Sequence, residues 1–168
     1  MKYLIDSNTF MTAARSFYSF DYGTKFWDFI ETQAKNNTVA SIDKVLEEIN
    51  KGNDALKDWV NKKFKNYFLS TKEEKVLQKY AELMQWAESK SNHYTRNAID
   101  EFMKEDNADP WLIAYAYAYL NTSNYIIVTF EKPNPNRKNK IQIPEVCNAF
   151  QIKHCDLFQM LKDLYFTM

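Results

Sequence analysis

Glycine is almost missing from this chain, with two in 168 residues, and it is joined by only four prolines, two cysteines and two histidines. Without a glycine-rich turn there is no phosphate-cradling loop of the kind that binds nucleoside triphosphates. Cys147 and Cys155, even with His154 between them, match no closed zinc site in ligand number or spacing, and are expected as buried free thiols. No apolar run reaches bilayer length: Trp111 to Leu120 is about half of the roughly 20 residues a span requires. The run before Asp6, Tyr3-Leu4-Ile5, is too short for a signal-peptide core, so a soluble, cytoplasmic chain is expected. An excess of one charge is missing too, since 22 basic residues face 22 acidic ones. No global field recruits nucleic acid, and any such contact must come from a local patch.

What is present is apolar and aromatic residue, 45% and 16% of the chain, which with the shortage of glycine predicts one packed, helix-rich domain over 1–168. Strands are predicted at Lys2–Asp6, Thr38–Ile42, Tyr125–Phe130 and Ile141–Ile143. Helical spacing covers Thr9–Arg15, Thr24–Asn36, Asp43–Asn50 with Gly52 as its stop, Asp54–Lys65, Thr95–Asp106, Pro110–Leu120 and Asp156–Tyr165. Thr71-Lys72-Glu73-Glu74 has the form of a capping box opening a further long helix. Strands separated by helices predict an α/β fold, with a mostly parallel sheet flanked by helices and ligands bound at the carboxyl ends of its strands.

That rule gives meaning to Asp6, a bare carboxylate ending a buried strand. Glu131 follows the strand Ile126–Phe130, and Asp109 starts the helix leading into it, so all three acids fall on one sheet edge. Each also has a plainer reading: Asp6 as a helix cap beside Ser7 and Asn8, Asp109-Pro110 as a cap followed by proline, Glu131 as a solvated loop residue. Gathered carboxylates repel unless a cation sits among them, and hard oxygen ligands suit Mg²⁺ or Mn²⁺. Such an ion serves hydrolysis of a phosphodiester.

Four ordered stretches carry a resemblance: Tyr3-Leu4-Ile5-Asp6-Ser7-Asn8, Ser41-Ile42-Asp43-Lys44-Val45-Leu46-Glu47-Glu48-Ile49, Ala108-Asp109-Pro110-Trp111-Leu112-Ile113-Ala114 and Val128-Thr129-Phe130-Glu131. Together they resemble the acidic motifs of PIN-domain ribonucleases, most closely a branch long filed as a domain of unknown function and related to VapC-type toxins. The resemblance implies a PIN-like three-layer sandwich and a magnesium- or manganese-dependent endoribonuclease, the toxin of a toxin–antitoxin module. It implies Asp6, Glu48 and Asp109 as metal ligands and catalytic residues, with Glu131, where the family commonly has Asp, binding directly or through water. By topology alone Asp43 is nearer the edge than Glu48; the resemblance favours Glu48, leaving Asp43 as a cap and Glu47 as solvated. It also implies an antitoxin partner and a homodimer.

An RNA substrate needs local cations, and Lys132, Arg137, Lys138 and Lys140 follow Glu131 in a loop without acids, with Asn8 a further candidate contact. A solvated loop is the alternative. Lys62, Lys63 and Lys65 read as a polar helix face, Tyr115, Tyr117 and Tyr119 as mostly core, and His93 as a surface residue. Two other functions remain open: a structure-selective DNA nuclease using the same acids, and an inactive PIN-shaped binding module.

Overall fold

The computed structural model describes residues 1–168. The first strand, β1 (Tyr3–Ile5), is wholly buried and turns at Asp6 into α1 (Ser7–Thr12). One wider, i to i+5 turn follows at Ala13–Phe17, closed by the Tyr18 N–H on the Ala13 carbonyl. Then come α2 (Thr24–Lys35), β2 (Val39–Ile42), α3 (Asp43–Asn50) and α4 (Ala55–Trp59), the last continued by wide turns at Val60–Phe64 and a tighter one at Lys65–Tyr67. The remainder is β3 (Phe68–Leu69), α5 (Glu74–Glu88), α6 (Arg96–Met103), α7 (Ala108–Ala118), β4 (Ile126–Val128), α8 (Ile143–Phe150), β5 (His154–Cys155) and α9 (Leu157–Asp163).

All strand pairs are parallel, in the order β3-β2-β1-β4-β5. Every strand therefore ends on the same edge, and the result is a three-layer α/β sandwich with helices flanking the sheet, as the alternation of strand and helix patterns predicted. The central strand holds the register: Tyr3 lies opposite Val39 and Ile126, and Ile5 opposite Val128. One core of 42 buried residues unites the elements. Each large side chain in it contributes about 1.5–3 kcal/mol by leaving water. Helix α7 packs along α5 and is buried nearly all round, which explains an apolar run that shows no helical face.

Glycine scarcity has a local counterpart. A Cβ on Gly23 would lie 2.7 Å from the Tyr18 backbone, too close for any other residue unless the chain shifts. Gly52, by contrast, has no left-handed backbone; α3 ends through its N–H and that of Lys51, so the expected glycine stop is not of the left-handed kind.

Three further expectations fail, and two strands were not expected. No strand forms at Ile141–Ile143: Gln142 is the extended residue before α8, and Pro144, which has no N–H for a ladder, sits in that helix's first turn. The capping box does not form either. Thr71 gives its N–H and its hydroxyl to Asp43 instead (3.1 and 2.8 Å), and α5 begins at Glu74 with no side-chain cap. The helix expected over Asp54–Lys65 keeps α-geometry only to Trp59. Beyond it Trp59, Phe64, Tyr67 and Phe68 pack ring against ring, and the backbone widens and then tightens around them. Strands β3 and β5 carry no detectable alternation because each has two half-buried residues. Both are edge strands, and short edges resist pairing with another chain.

Candidate functional site

The Asp6 N–H donates to the Val128 carbonyl (3.1 Å), which ties the end of β1 to the end of β4. Beside it, the Thr129 N–H bonds the Cys155 carbonyl (2.9 Å) and the Glu131 N–H bonds the Thr129 hydroxyl (3.1 Å). Asp6 and Glu131 thus leave neighbouring strands on one edge. Asp6 is 1% exposed and caps α1: its Oδ1 accepts from the Thr9 N–H at 2.6 Å. Its Oδ2 is buried with no partner, and so is Oε2 of Glu131. The other buried oxygens without partners, on Gln142 and Glu145, belong to the start of α8.

Glu48 reaches the same edge from α3. Its Oε2 accepts from the Ser7 hydroxyl and its Oε1 from the Ala108 N–H at 2.8 Å, so it joins β1's end to the first turn of α7. Asp43 does not share this place, since both of its oxygens serve Thr71. Asp109 is the second residue of α7 and not its cap. That role falls to Asn107, whose Oδ1 accepts the Asp109 N–H at 3.0 Å, and the Asp109 carboxylate lines a cavity of about 40 Å³ with Asn107, Asn139 and Lys140.

The electrostatics bind the acids into one group. Burial, then the charges of Asp6 and Glu131 and more weakly Glu48, push the Asp109 carboxyl up to about 8 against the pull of Lys140. Burial raises Asp6 to about 6, opposed by Thr9 and the nearby Thr129 hydroxyl, with the Glu131 charge adding to the rise. No three of these acids close on one point as a finished metal cage. Glu48 is held by Ser7 and Ala108, and Glu131 Oε1 lies 3.4 Å from Lys140 Nζ, so two acids are turned to other partners. The donor set fits a hard divalent cation nonetheless: all-oxygen, crowded with negative charge, and with two buried oxygens unsatisfied.

Of the cationic loop, Lys140 meets the acids, Arg137 Nε bonds Asn139, and Lys132 and Lys138 are exposed, as is Asn8. His93 lies partly exposed with its ring against Tyr94, and donates to none of the acids. Cys147 is buried and Cys155, expected to be buried, is only half so; both are free. Lys62, Lys63 and Lys65 are exposed. Tyr115 is buried, whereas Tyr117 and Tyr119 lie half-buried under Lys79 and Lys75. Ser7 is the residue that reading the sequence missed as part of the site. Its signal was its place directly after Asp6, which only a helix cap would have explained.

A family model described as a domain of unknown function (DUF4411) matches residues 3–168, and the chain belongs to that family. No curated protein and no solved structure matches the chain.

Proposed function

We propose that this chain is a Mg²⁺- or Mn²⁺-dependent endoribonuclease, with Asp6, Glu48, Asp109 and Glu131 holding the ion. The observation that carries this reading is the pair of buried, partnerless carboxylate oxygens, Asp6 Oδ2 and Glu131 Oε2, in a group where burial and then the neighbouring acids lift Asp109 to about 8. The four-motif resemblance to PIN-domain ribonucleases supports the RNA substrate, the toxin role, a protein antitoxin and a homodimer, all as parts of the same proposal.

When bound, the ion orients and acidifies a water and neutralises charge gathering on the phosphoryl group. The chain's own residues do the rest. The Thr9 N–H fixes the Asp6 carboxylate with one oxygen committed and the other free. Ser7 and the Ala108 N–H orient Glu48. Without an ion the Asp109 carboxyl keeps its proton across neutral pH, and binding a cation releases it. Lys140 brings positive charge to the rim, where a phosphate approaches.

One specific observation favours a second reading, an inactive binding module: the acids form no closed cage, and Glu48 is satisfied by protein donors. A titration of Mn²⁺ against the thermal midpoint separates the two. An ion held by the folded state adds about 2.7 kcal/mol at a hundredfold excess over its dissociation constant, and Asp6→Asn is expected to abolish that gain. Cleavage of single-stranded RNA should vanish in Asp6→Asn and Asp109→Asn while circular dichroism is unchanged. Full cleavage by Asp6→Asn in chelator would sink the metal mechanism.

A further inference from the structure

Beside the acids, the same sheet edge carries an aromatic cluster that the core does not absorb. Phe17 ends the wide turn after α1, Phe130 follows β4, and Phe158 lies in the first turn of α9. Their ring centroids are 5.7 Å apart for Phe17 and Phe130, 5.0 Å for Phe17 and Phe158, and 5.7 Å for Phe130 and Phe158. Phe17 and Phe158 are nevertheless 49% and 44% exposed, and only Phe130 packs against the core. The other strongly exposed aromatics, Tyr22 and Tyr165, stand without a ring partner. Three rings from three separate elements have been brought together, and two of them are left half in water.

Their position decides the occupant. Phe130 immediately precedes Glu131, so the two Cα atoms are about 3.8 Å apart. Lys132 follows, exposed, because the ion pair of Glu131 goes to Lys140. Aromatic, acid and cation are consecutive at the end of β4, so the ring cluster and a carboxylate of the acidic group stand on adjoining residues of one sheet edge. The one acid close in sequence to Phe158, Asp156, is occupied as the α9 cap by the Gln159 N–H at 2.8 Å. A second copy of the chain is a poorer fit, since a specific dimer covers about 800 Å² on each partner and two half-exposed rings with a third behind them supply a small part of that.

We infer that Phe17, Phe130 and Phe158 form a stacking platform for one unpaired base of single-stranded RNA held at the acidic edge. The inference rests on the nuclease reading above and names its substrate class. Every base has a π-face, so the platform tolerates sequence. It rejects duplex, where bases are already stacked on each other.

The test compares an octauridylate labelled at its 5′ end with a ribose-phosphate strand of the same length lacking bases, both binding to the full chain with Ca²⁺ as the divalent ion. Wild type is expected to prefer the base-bearing strand by about tenfold. The Phe17→Ala/Phe158→Ala double variant, whose changes fall on exposed rings and whose melting curve serves as the fold control, should lose that preference while binding the baseless strand as before. Phe17→Tyr should keep it. An equal loss on both strands, or a preference the double variant retains, overturns the platform. So does a wild-type dimer that the double variant turns into a monomer on a sizing column, since the rings then join two chains. Cleavage assays with Mn²⁺ separate this failure from that of the underlying reading: a double variant cleaving octauridylate with unchanged KM removes the platform alone, whereas a wild type that neither binds nor cleaves RNA removes both.

Discussion

Asp6 divides its two oxygens between two tasks. Oδ1 caps α1 through Thr9 and Oδ2 stays buried without a partner, so a helix cap and an ion ligand are not alternatives at this position. Capping supplies the fixed rotamer that a ligand needs, and the cap bond offsets part of the cost of burying a charge. Asp109 has no hydrogen bond of that kind, only the pull of Lys140, and this sets a pH dependence. Its carboxyl, near 4 when unfolded, is raised to about 8 by burial and by its acidic neighbours. Between those values the folded chain binds more protons than the unfolded one, so this group costs stability increasingly as pH rises from 4 to 8, and the full cost persists above. Asp6 adds to the loss between 4 and about 6. In metal-free protein, Asp109→Asn is therefore expected to match wild type at pH 4 and exceed it by on the order of a few kcal/mol at pH 8.5. Urea unfolding at the two pH values measures the difference; equal gaps at both would mean that burial and the neighbouring acids do not raise this carboxyl.

At the scale of the element, the sequence was legible where a segment is long and carries a period. Strand β2 and helices α2 and α3 fall within a residue or two of their expected bounds, because burial of one face is a local pattern. It was misleading where a side chain serves a distant element. Thr71-Lys72-Glu73-Glu74 has the form of a cap, but Asp43 lies 28 positions away and offers Thr71 a charged acceptor. Asp43 accepts both the N–H and the hydroxyl of Thr71, which leaves no Thr71 donor for Glu74 to complete a capping box. Thr71→Ala should cost about 1–2 kcal/mol in denaturant unfolding, because it leaves the partly buried Asp43 short of a donor. The Mn²⁺ response should be untouched; a weakened response would place Asp43 with the metal after all. Pro144 shows the opposite error, a clear local signal for a helix start that adjacent isoleucines concealed.

For the whole molecule, balanced charge makes attraction to a polyanion a matter of one loop. Lys132 and Lys138 are exposed beyond Glu131, with only the main-chain carbonyl of Lys138 engaged, by Thr95. Replacing both with Ala leaves that bond intact. If each neutralises one phosphate, the slope of log affinity for single-stranded RNA against log salt should become shallower by about 1.4. Filter binding between 50 and 200 mM salt, a range chosen for its usual spread of affinities, reads this directly; an unchanged slope would assign these lysines to solubility. The chain also has no helix long and apolar enough to cross a membrane, as the short apolar runs implied.

By itself the sequence determined the alternation of strand and helix, hence the parallel sheet, and with it the edge on which Asp6, Asp109 and Glu131 gather. Periodicity and chain direction suffice for that, because parallel strands must end together. Only the tertiary structure decided what those acids touch. Glu48 and not Asp43 meets Ser7 and Ala108, Lys140 and not Lys132 pairs with Glu131, and Phe17 comes to rest against Phe130 and Phe158. Each of those choices turns on a few ångströms between elements far apart in the chain, and separation of that kind leaves no period to read.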